Sequence, residues 1–377
     1  MIGKKKKQAG VLLPLSALRK RYPDSNLASV IAFDEEETLK IPFNVLALNY
    51  QICGGLPYGK ILEGFGEEST GKTLLGIDLA KSVIALGGIV LWGDHEASWT
   101  NDWALKNGLD LTKIELLKDE NEIETVSDWL GDMIVYYRSI LTNNEPILYI
   151  GDSIAAFETK ETMEVAESDP SGNMGMGRSK AIYKMLRKRR KMFAKYGVSA
   201  YFINQLRKKI GATKWEDPDT TPGGAAMKYY ADIRIGLYRG KKILNAKEKK
   251  VGQKVHIRVK KNKVGPPRDS IEVKVLFKKT KGNIGYDKYY GLGEALLECE
   301  TITKKGRGYF FNGKKISIVD KENMHLLKAI ASNDELRAEL IAASPINTLS
   351  KTRKKIAALS KNLYPVKIKT KKNAEEE

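Results

Sequence analysis

The sequence is poor in the residues that build disulfide frameworks and zinc sites. Its 377 residues include 2 cysteines and 3 histidines. Cys53 and Cys299 lie far apart and lack metal-ligand spacing, which argues against both a disulfide scaffold and a zinc site. The cysteine content fits a reducing cytoplasm.

Long hydrophobic runs are also missing. No apolar stretch approaches the roughly 20 residues that a transmembrane helix needs. The run Lys4 to Lys7 is followed by a short apolar stretch only, Val11 to Leu15. We therefore predict neither a membrane span nor a signal peptide, and a cytoplasmic protein. The lysine run is either a solvated arm or a contact with DNA.

Acidic side chains are too few to balance the basic ones. The 65 Lys and Arg residues exceed the 46 Asp and Glu residues, which leaves a net charge of +19. A surplus of this size indicates a polyanionic partner, with nucleic acid first. The 42% hydrophobic and 29% charged residues are typical of a folded chain.

Strand and helix patterns alternate from about residue 60 to residue 205. Buried strands are predicted at Ile61 to Phe65, Ile89 to Trp92, Ile147 to Ile150 and Val198 to Ile203. The amphipathic helices between them are predicted at Gly71 to Leu86, Ile123 to Ile140 and Ser179 to Ala194. Antiparallel strands at the sheet edge are predicted at Asp232 to Tyr238, Lys254 to Lys260 and Ser270 to Phe277. This order predicts an α/β fold with a mostly parallel central sheet.

The sharpest motif fits the Walker A pattern and lies between a predicted strand and a predicted helix. It reads Gly66-Glu67-Glu68-Ser69-Thr70-Gly71-Lys72-Thr73. Backbone N–H groups of such a loop surround phosphates, Lys72 reaches the outer phosphates, and the Thr73 hydroxyl binds Mg²⁺. The motif predicts a site for ATP and Mg²⁺.

Carboxylates follow two of the other predicted strands. Asp152 ends the strand that begins at Ile147, as a Walker B aspartate does, and would face the magnesium. Asp94 and Glu96 follow the strand that begins at Ile89, at the edge where ligands collect. Either could activate the attacking water, and composition does not choose between them.

These motifs, in this order, resemble the RecA family of ATP-dependent homologous recombinases. The resemblance runs from about Ile41 to Lys315. Besides the phosphate-site motifs, it is carried by the segments Gly54 to Ile61, Ile203 to Gly211, Thr220 to Tyr230 and Lys260 to Lys263. It implies a RecA-like P-loop NTPase core with a short N-terminal segment and a small C-terminal α/β domain.

The resemblance also implies a function and roles for particular residues. The protein would form a filament on single-stranded DNA with ATP and pair it with homologous duplex DNA. Glu96 would be the catalytic carboxylate, Gln205 would sense the γ-phosphate, and Trp103 would stack on the adenine. Lys261 and Lys263 would reach ATP bound to the neighbouring subunit. A buried structural glutamine is the alternative for Gln205.

Two loops are expected to bind DNA, at about Glu158 to Gly177 and Arg207 to Pro222. The candidate DNA-binding residues are Arg178, Lys180, Arg187, Arg207, Lys208, Lys209, Trp215, Gly223 and Gly224. The basic stretch Lys184 to Lys195 lies between the loops and could neutralise phosphates or form a solvated helix face. Trp215 could stack on bases or pack within its loop.

We divide the chain into four parts. They are a basic N-terminal oligomerisation segment (1–40), the ATPase core (41–285), the small C-terminal domain (286–345) and a basic tail expected to be disordered (346–377). The poorly matching N-terminus, the basic tail and Thr100, where the family often carries Asp, would suit a divergent, phage-encoded member.

Two other functions, a ring helicase and a DNA-binding mediator, are alternatives to the recombinase. A ring helicase with the same fold would need a substantial helical N-terminal domain, for which about forty residues leave little room. A DNA-binding mediator without ATP turnover would not need Lys72, Thr73, Glu96 and Asp152 to be intact. The recombinase is therefore the function that we predict.

Overall fold

A large mixed sheet lies at the centre of the chain. The computed structural model describes residues 39–344, apart from 143, 162–173, 209–218, 224, 267, 269, 281–282 and 320–323, together with residues 352 and 354. The strands in this part of the chain are β1 (Lys40–Ile41), β2 (Leu56–Pro57), β3 (Ile61–Gly66), β4 (Ile89–Asp94), β5 (Ile114–Lys118), β6 (Ile147–Asp152), β7 (Val198–Gln205), β8 (Arg207–Lys208), β9 (Asp219–Thr220), β10 (Ile233–Leu244), β11 (Lys250–Asn262), β12 (Ser270–Thr280), β13 (Asn283–Tyr286), β14 (Thr303–Lys305), β15 (Gly308–Phe311) and β16 (Lys314–Ile318).

Helices connect the successive parallel strands from β3 to β7. The α-helices among the described residues are α1 (Leu46–Gln51), α2 (Lys72–Ala85), α3 (Asn101–Lys106), α4 (Ile123–Ile140), α5 (Met174–Tyr196), α6 (Ala226–Tyr230), α7 (Leu292–Glu298), α8 (Met324–Ser332) and α9 (Asp334–Ala343). None of them is both long and apolar enough to cross a membrane.

The strand order of the central sheet is β13-β12-β11-β10-β3-β7-β6-β4-β5. Neighbours from β10 to β5 pair in parallel, and β10 to β13 pair antiparallel. The predicted α/β class with a mostly parallel sheet is therefore confirmed. The edge strand β5 was not predicted, because its half-exposed residues show no buried run.

The core occupies both faces of the sheet, because successive side chains of a strand point to opposite sides. Leu62 and Leu148 pack in one cluster together with α2, whereas Ile61 and Tyr149 pack in a second cluster with α4 and α5. Every residue of β3, β4 and β6 is buried. This double coverage explains why these strands read as continuous apolar runs.

Parallel pairing brings the carboxyl ends of four strands to one edge of the sheet. Gly66 of β3 pairs with Gln205 of β7, and Asp94 of β4 pairs with Asp152 of β6. The motifs that follow these strands therefore meet at a single edge, which is where ligands bind in open α/β sheets.

A smaller three-stranded antiparallel sheet, in the order β14-β15-β16, follows the central sheet along the chain. Tyr309 of β15, Leu326 of α8 and Leu340 of α9 belong to the same apolar cluster as α2. The boundary that we predict at residue 286 falls at the last residue of β13.

Candidate functional site

The loop between β3 and α2 has a tightly defined backbone. A Cβ at Gly66 would lie 2.3 Å from the carbonyl oxygen of Leu237 on β10, so this position requires glycine. Gly71 precedes α2 with φ +92°, a conformation that glycine adopts without strain. The Tyr286 hydroxyl donates to the Gly71 carbonyl at 3.0 Å. The loop is thus fixed at a helix N-terminus, an arrangement suited to phosphate.

Lys72 bends back onto this loop. Its Nζ donates to the carbonyl oxygens of Gly66 (3.0 Å) and Glu67 (2.7 Å). Burial lowers the pKa of the Lys72 ammonium below its ordinary value, although the carboxylates of Asp152 and Glu96 act in the opposite direction. A desolvated cation at this position attracts an anionic ligand strongly.

Thr73 and Asp152 lie in direct contact. The Thr73 hydroxyl donates to Oδ2 of Asp152 at 2.7 Å. Burial raises the pKa of the Asp152 carboxyl to about 6, and the nearby carboxylates of Glu96 and Asp94 add to this increase. A hydroxyl beside a destabilised carboxylate forms the oxygen donor set that Mg²⁺ prefers, so these residues fit that ion.

Asp94 and Glu96, which the sequence left as alternatives, have different surroundings. Asp94 is fully buried, and its oxygens accept hydrogen bonds from the backbone N–H groups of Ser98 (3.0 Å) and Trp99 (2.9 Å). Its carboxylate therefore stabilises the turn after β4. Glu96 is exposed and lines the cleft at the sheet edge.

Glu96 is held by two neighbours. Its Oε1 accepts hydrogen bonds from the Ser153 hydroxyl and, at 3.3 Å, from Nε2 of Gln205. Gln205 ends β7 and continues the chain toward β8. The amide thus connects the carboxylate to the start of the second predicted DNA-binding loop.

These residues surround a cleft of about 540 Å³. Trp103 of α3, 38% exposed, forms one wall of the cleft, and its stacking on the adenine stays a prediction. The sequence reasoning missed Val275 and Phe277 of β12 and Lys250 of β11, which also line the cleft. No motif in the sequence around these three residues predicts a role in the cleft, because they reach it through the antiparallel pairing of β11 with β12.

Lys261 and Lys263 do not line this cleft. Lys250 at the start of β11 does, and Lys261 lies eleven residues further along the same strand. At about 3.3 Å per residue the two ends are roughly 35 Å apart. Lys261 donates to the carbonyl oxygens of Lys228 (2.7 Å) and Tyr229 (3.2 Å). Lys261 is thus bonded to the backbone of α6 and does not line the cleft of its own subunit.

Comparison with known proteins places the chain in a family. The model of the RecA N-terminal domain matches residues 13–282. The chain is 34% identical over 264 residues to Protein RecA of Mycoplasma mycoides, covering 70% of this chain and 71% of that protein. It is 32% identical over 289 residues to Protein RecA of Petrotoga mobilis (76% and 74%).

The chain belongs to the RecA family. Protein RecA of Tropheryma whipplei (strain Twist) is 31% identical over 306 residues, which are 80% of this chain and 65% of that relative. The resemblance stated from the motifs is thus confirmed, and identities near 30% make this a divergent member of the RecA family.

The first predicted DNA-binding loop of this RecA family member lies partly outside the described residues. Its flanking segments are in contact, because Arg178 pairs with Glu158 at 2.8 Å and also donates to the carbonyl of Ala155. Lys180 and Arg187 are exposed on α5. Arg178 therefore joins the two flanks, whereas Lys180 and Arg187 are exposed to solvent.

The basic stretch of α5 does not form one exposed face. Arg189 is 6% exposed, and its guanidinium donates to Ser127 and Asp128 of α4. Arg190 pairs with the buried carboxylate of Asp232 at 2.9 Å. These two arginines hold α5 on the core, so neither is available to phosphates or to a solvated face. The exposed cations of the stretch are Lys184, Arg187, Lys188, Lys191 and Lys195, of which Lys188 pairs with Asp128 at 2.9 Å.

The second predicted loop begins and ends in a short antiparallel pair. Arg207 is exposed and pairs in register with Thr220, and Lys208 pairs with Asp219. Gly223 has φ +86° and packs near Ile182 of α5. Lys209, Trp215 and Gly224 lie outside the described residues.

Proposed function

We propose that this RecA family member is an ATP-dependent DNA recombinase that assembles on single-stranded DNA and pairs it with homologous duplex DNA. The observation that carries the proposal is the cleft at the sheet edge. It combines a phosphate loop, an exposed carboxylate and an amide that leads directly into a loop with basic residues. Such a site can couple ATP hydrolysis to DNA binding.

Hydrolysis needs a base beside the terminal phosphate. Glu96 is the exposed carboxylate of the cleft, and contacts with Ser153 and Gln205 fix its Oε1. It can orient and deprotonate a water that attacks the γ-phosphorus, while Lys72 neutralises charge on the phosphate oxygens. Trp103 and Phe277 offer aromatic faces to the base.

Thr73 and Asp152 would hold Mg²⁺. Their oxygens are 2.7 Å apart, and a cation would relieve the unfavourable ionisation of the buried aspartate. When bound, Mg²⁺ neutralises phosphate oxygens of the nucleotide.

Filament formation is supported by the position of Lys261 and Lys263. Neither lysine lines the cleft of its own subunit, and Lys261 is bonded to backbone carbonyls of α6 instead, so a nucleotide in a neighbouring copy is the one that they would contact. A contact of this head-to-tail kind, repeated without closure, generates a helical filament.

DNA binding is supported by the charge of the chain and by the exposed cations near the loops. Lys180, Arg187 and Arg207 are exposed, and the net charge is +19. If Gln205 contacts the γ-phosphate, ATP can order the loop that follows it and present its basic residues to DNA.

The test combines kinetics with microscopy. Glu96→Gln should bind ATP normally and lose at least about 100-fold in DNA-stimulated hydrolysis, because only water activation is removed. Lys72→Ala should weaken nucleotide binding itself. Electron microscopy with single-stranded DNA and a non-hydrolysable ATP analogue should show helical filaments, and the wild type should form joint molecules between homologous DNAs. Closed rings would instead favour a helicase, and ATP-independent DNA binding without turnover a mediator.

A further inference from the structure

The histidine that precedes Glu96 is buried within a network of its own. His95 is 5% exposed, whereas Glu96, the next residue, is exposed. Nδ1 of His95 contacts the carbonyl oxygen of Glu120, and Nε2 lies 3.1 Å from the hydroxyl of Tyr149. Because a carbonyl only accepts, Nδ1 carries the proton and Nε2 accepts from the tyrosine.

Both partners come from neighbouring strands of the sheet. Tyr149 lies in β6 and is fully buried, and Glu120 follows β5. The ring of His95 also packs on Phe157, with centroids 4.5 Å apart. Its backbone N–H donates to the carbonyl of Asp152 at 2.7 Å. The residue before Glu96 is thus fixed to both strands that flank β4.

Space for this network is made by glycine. A Cβ at Gly93 would lie 2.4 Å from Nε2 of His95 and 3.1 Å from the Tyr149 hydroxyl, and a Cβ at Gly151 would also lie 3.1 Å from that hydroxyl. Two strand positions that lack a side chain therefore accommodate the imidazole and the phenol. The arrangement is built into the sheet and is not a chance contact at its edge.

Glu96 has little else that fixes its backbone. The following residue, Ala97, has φ +52°, so the chain turns sharply just after the carboxylate. Among the described residues, the hydrogen bonds that would remain to this turn without the ring of His95 are the backbone bond to Asp152, those that Asp94 accepts from Ser98 and Trp99, and those that the Glu96 side chain accepts from Ser153 and Gln205. A shift of about 1 Å in a reacting group can cost roughly 100-fold in rate.

We propose that His95 is a positioning residue for hydrolysis: its hydrogen bonds to Glu120 and Tyr149 hold the turn that presents Glu96 to the attacking water. The proposal rests on the proposed ATP hydrolysis. It also connects Glu96 to the first predicted DNA-binding loop, because Glu158 exchanges backbone hydrogen bonds with Asn121 and Ile123, next to Glu120.

The test measures ATP hydrolysis by the full-length protein on saturating single-stranded oligonucleotide. His95→Ala should lower kcat by roughly 10- to 100-fold and leave KM and the Kd of a fluorescent ATP analogue within about 2-fold, since the phosphate loop is untouched. His95→Asn should recover most of kcat, because its amide can donate to the Glu120 carbonyl. Tyr149→Phe, which removes one hydroxyl, should lower kcat only a few-fold. His325→Ala, exposed on α8, is the control.

Two results would overturn the proposal. One is a wild-type kcat in His95→Ala, and the other is an Asn variant that is as slow as the Ala variant. If His95→Ala does not fold, an Asn variant slower than Tyr149→Phe by more than 10-fold would also contradict it. Absence of DNA-stimulated hydrolysis in the wild type would instead refute the proposed function.

Discussion

The role in a neighbouring subunit that we propose for Lys261 and Lys263 leads to a quantitative mixing experiment. The cleft contains Lys72 and Glu96, whereas Lys261 and Lys263, at and just beyond the end of β11, do not line it. A complete site in a filament would then combine the cleft of one subunit with the lysines of the next. Glu96→Gln and Lys263→Ala damage opposite halves of such a site.

The expected activity follows from counting interfaces. Each pure variant should be nearly inactive, because every site contains one damaged half. In a random 1:1 mixture, a site works only if the cleft comes from a Lys263→Ala subunit and the lysines come from a Glu96→Gln subunit, so about one quarter of the sites are intact. As the mole fraction changes, activity should follow a parabola with its maximum at equal amounts.

The assay is steady-state ATP hydrolysis on single-stranded DNA at constant total protein. The matched control mixes Glu96→Gln with Lys72→Ala, since both changes damage the cleft half and no ratio can produce an intact site. Recovery to about a quarter of the wild-type rate in the first series and none in the control is the expected result. A first series that stays flat at the variants' own low rates, or an active Lys263→Ala protein alone, would refute the shared site.

Two further predictions concern stability. Arg189→Ala should lower the free energy of unfolding by about 2 kcal/mol, because it removes charged hydrogen bonds between α5 and α4. Arg187→Ala should leave the free energy of unfolding within about 0.5 kcal/mol of the wild type and reduce the salt dependence of DNA binding. Urea unfolding and DNA-binding titrations at several salt concentrations measure both properties. Equal losses of stability in the Arg189 and Arg187 variants, or equal changes in their salt dependence, would contradict the prediction. Burial raises the pKa of Asp78 in the folded protein to about 6, above its ordinary 3.8, so its ionisation destabilises the fold progressively from about pH 4 to pH 6 and fully above that, by roughly 3 kcal/mol at most. The advantage of Asp78→Asn over the wild type in urea unfolding should therefore increase across this range and then level off, and a pH-independent difference would contradict it.

Much of the central sheet could be predicted because its strands are buried on both faces. Runs such as Ile147 to Ile150 show no polar residue to obscure them, and the phosphate loop is continuous in sequence. Parallel pairing then dictates that residues after these strands meet at one edge. Val275 and Phe277 could not be predicted in the same way, since the pairing of β11 with β12 brings them to the cleft.

The burial of Arg189 on α5 could have been predicted from helical periodicity, which a count of charges does not take into account. Ile182, Leu186, Arg189 and Phe193 recur at helical spacing and all lie buried on one face of α5. Helical periodicity therefore places Arg189 within the apolar stripe, where an arginine needs partners. Position on the helix, and not charge density alone, separates the structural cations from those that can face DNA.

The choice between Asp94 and Glu96 depended on information that strand patterns do not contain. Both follow β4 at the correct edge, and residues two apart on an extended strand would share one face. The chain leaves the strand between them, because β4 ends at Asp94 and Ala97 adopts a positive φ. The Asp94 carboxylate accepts hydrogen bonds from backbone N–H groups of the turn, and of the two carboxylates only Glu96 lines the cleft. The ring of the buried histidine between the carboxylates adds side-chain bonds to Glu120 and Tyr149, and its substitution by asparagine or alanine therefore tests directly whether these bonds hold the turn that presents Glu96.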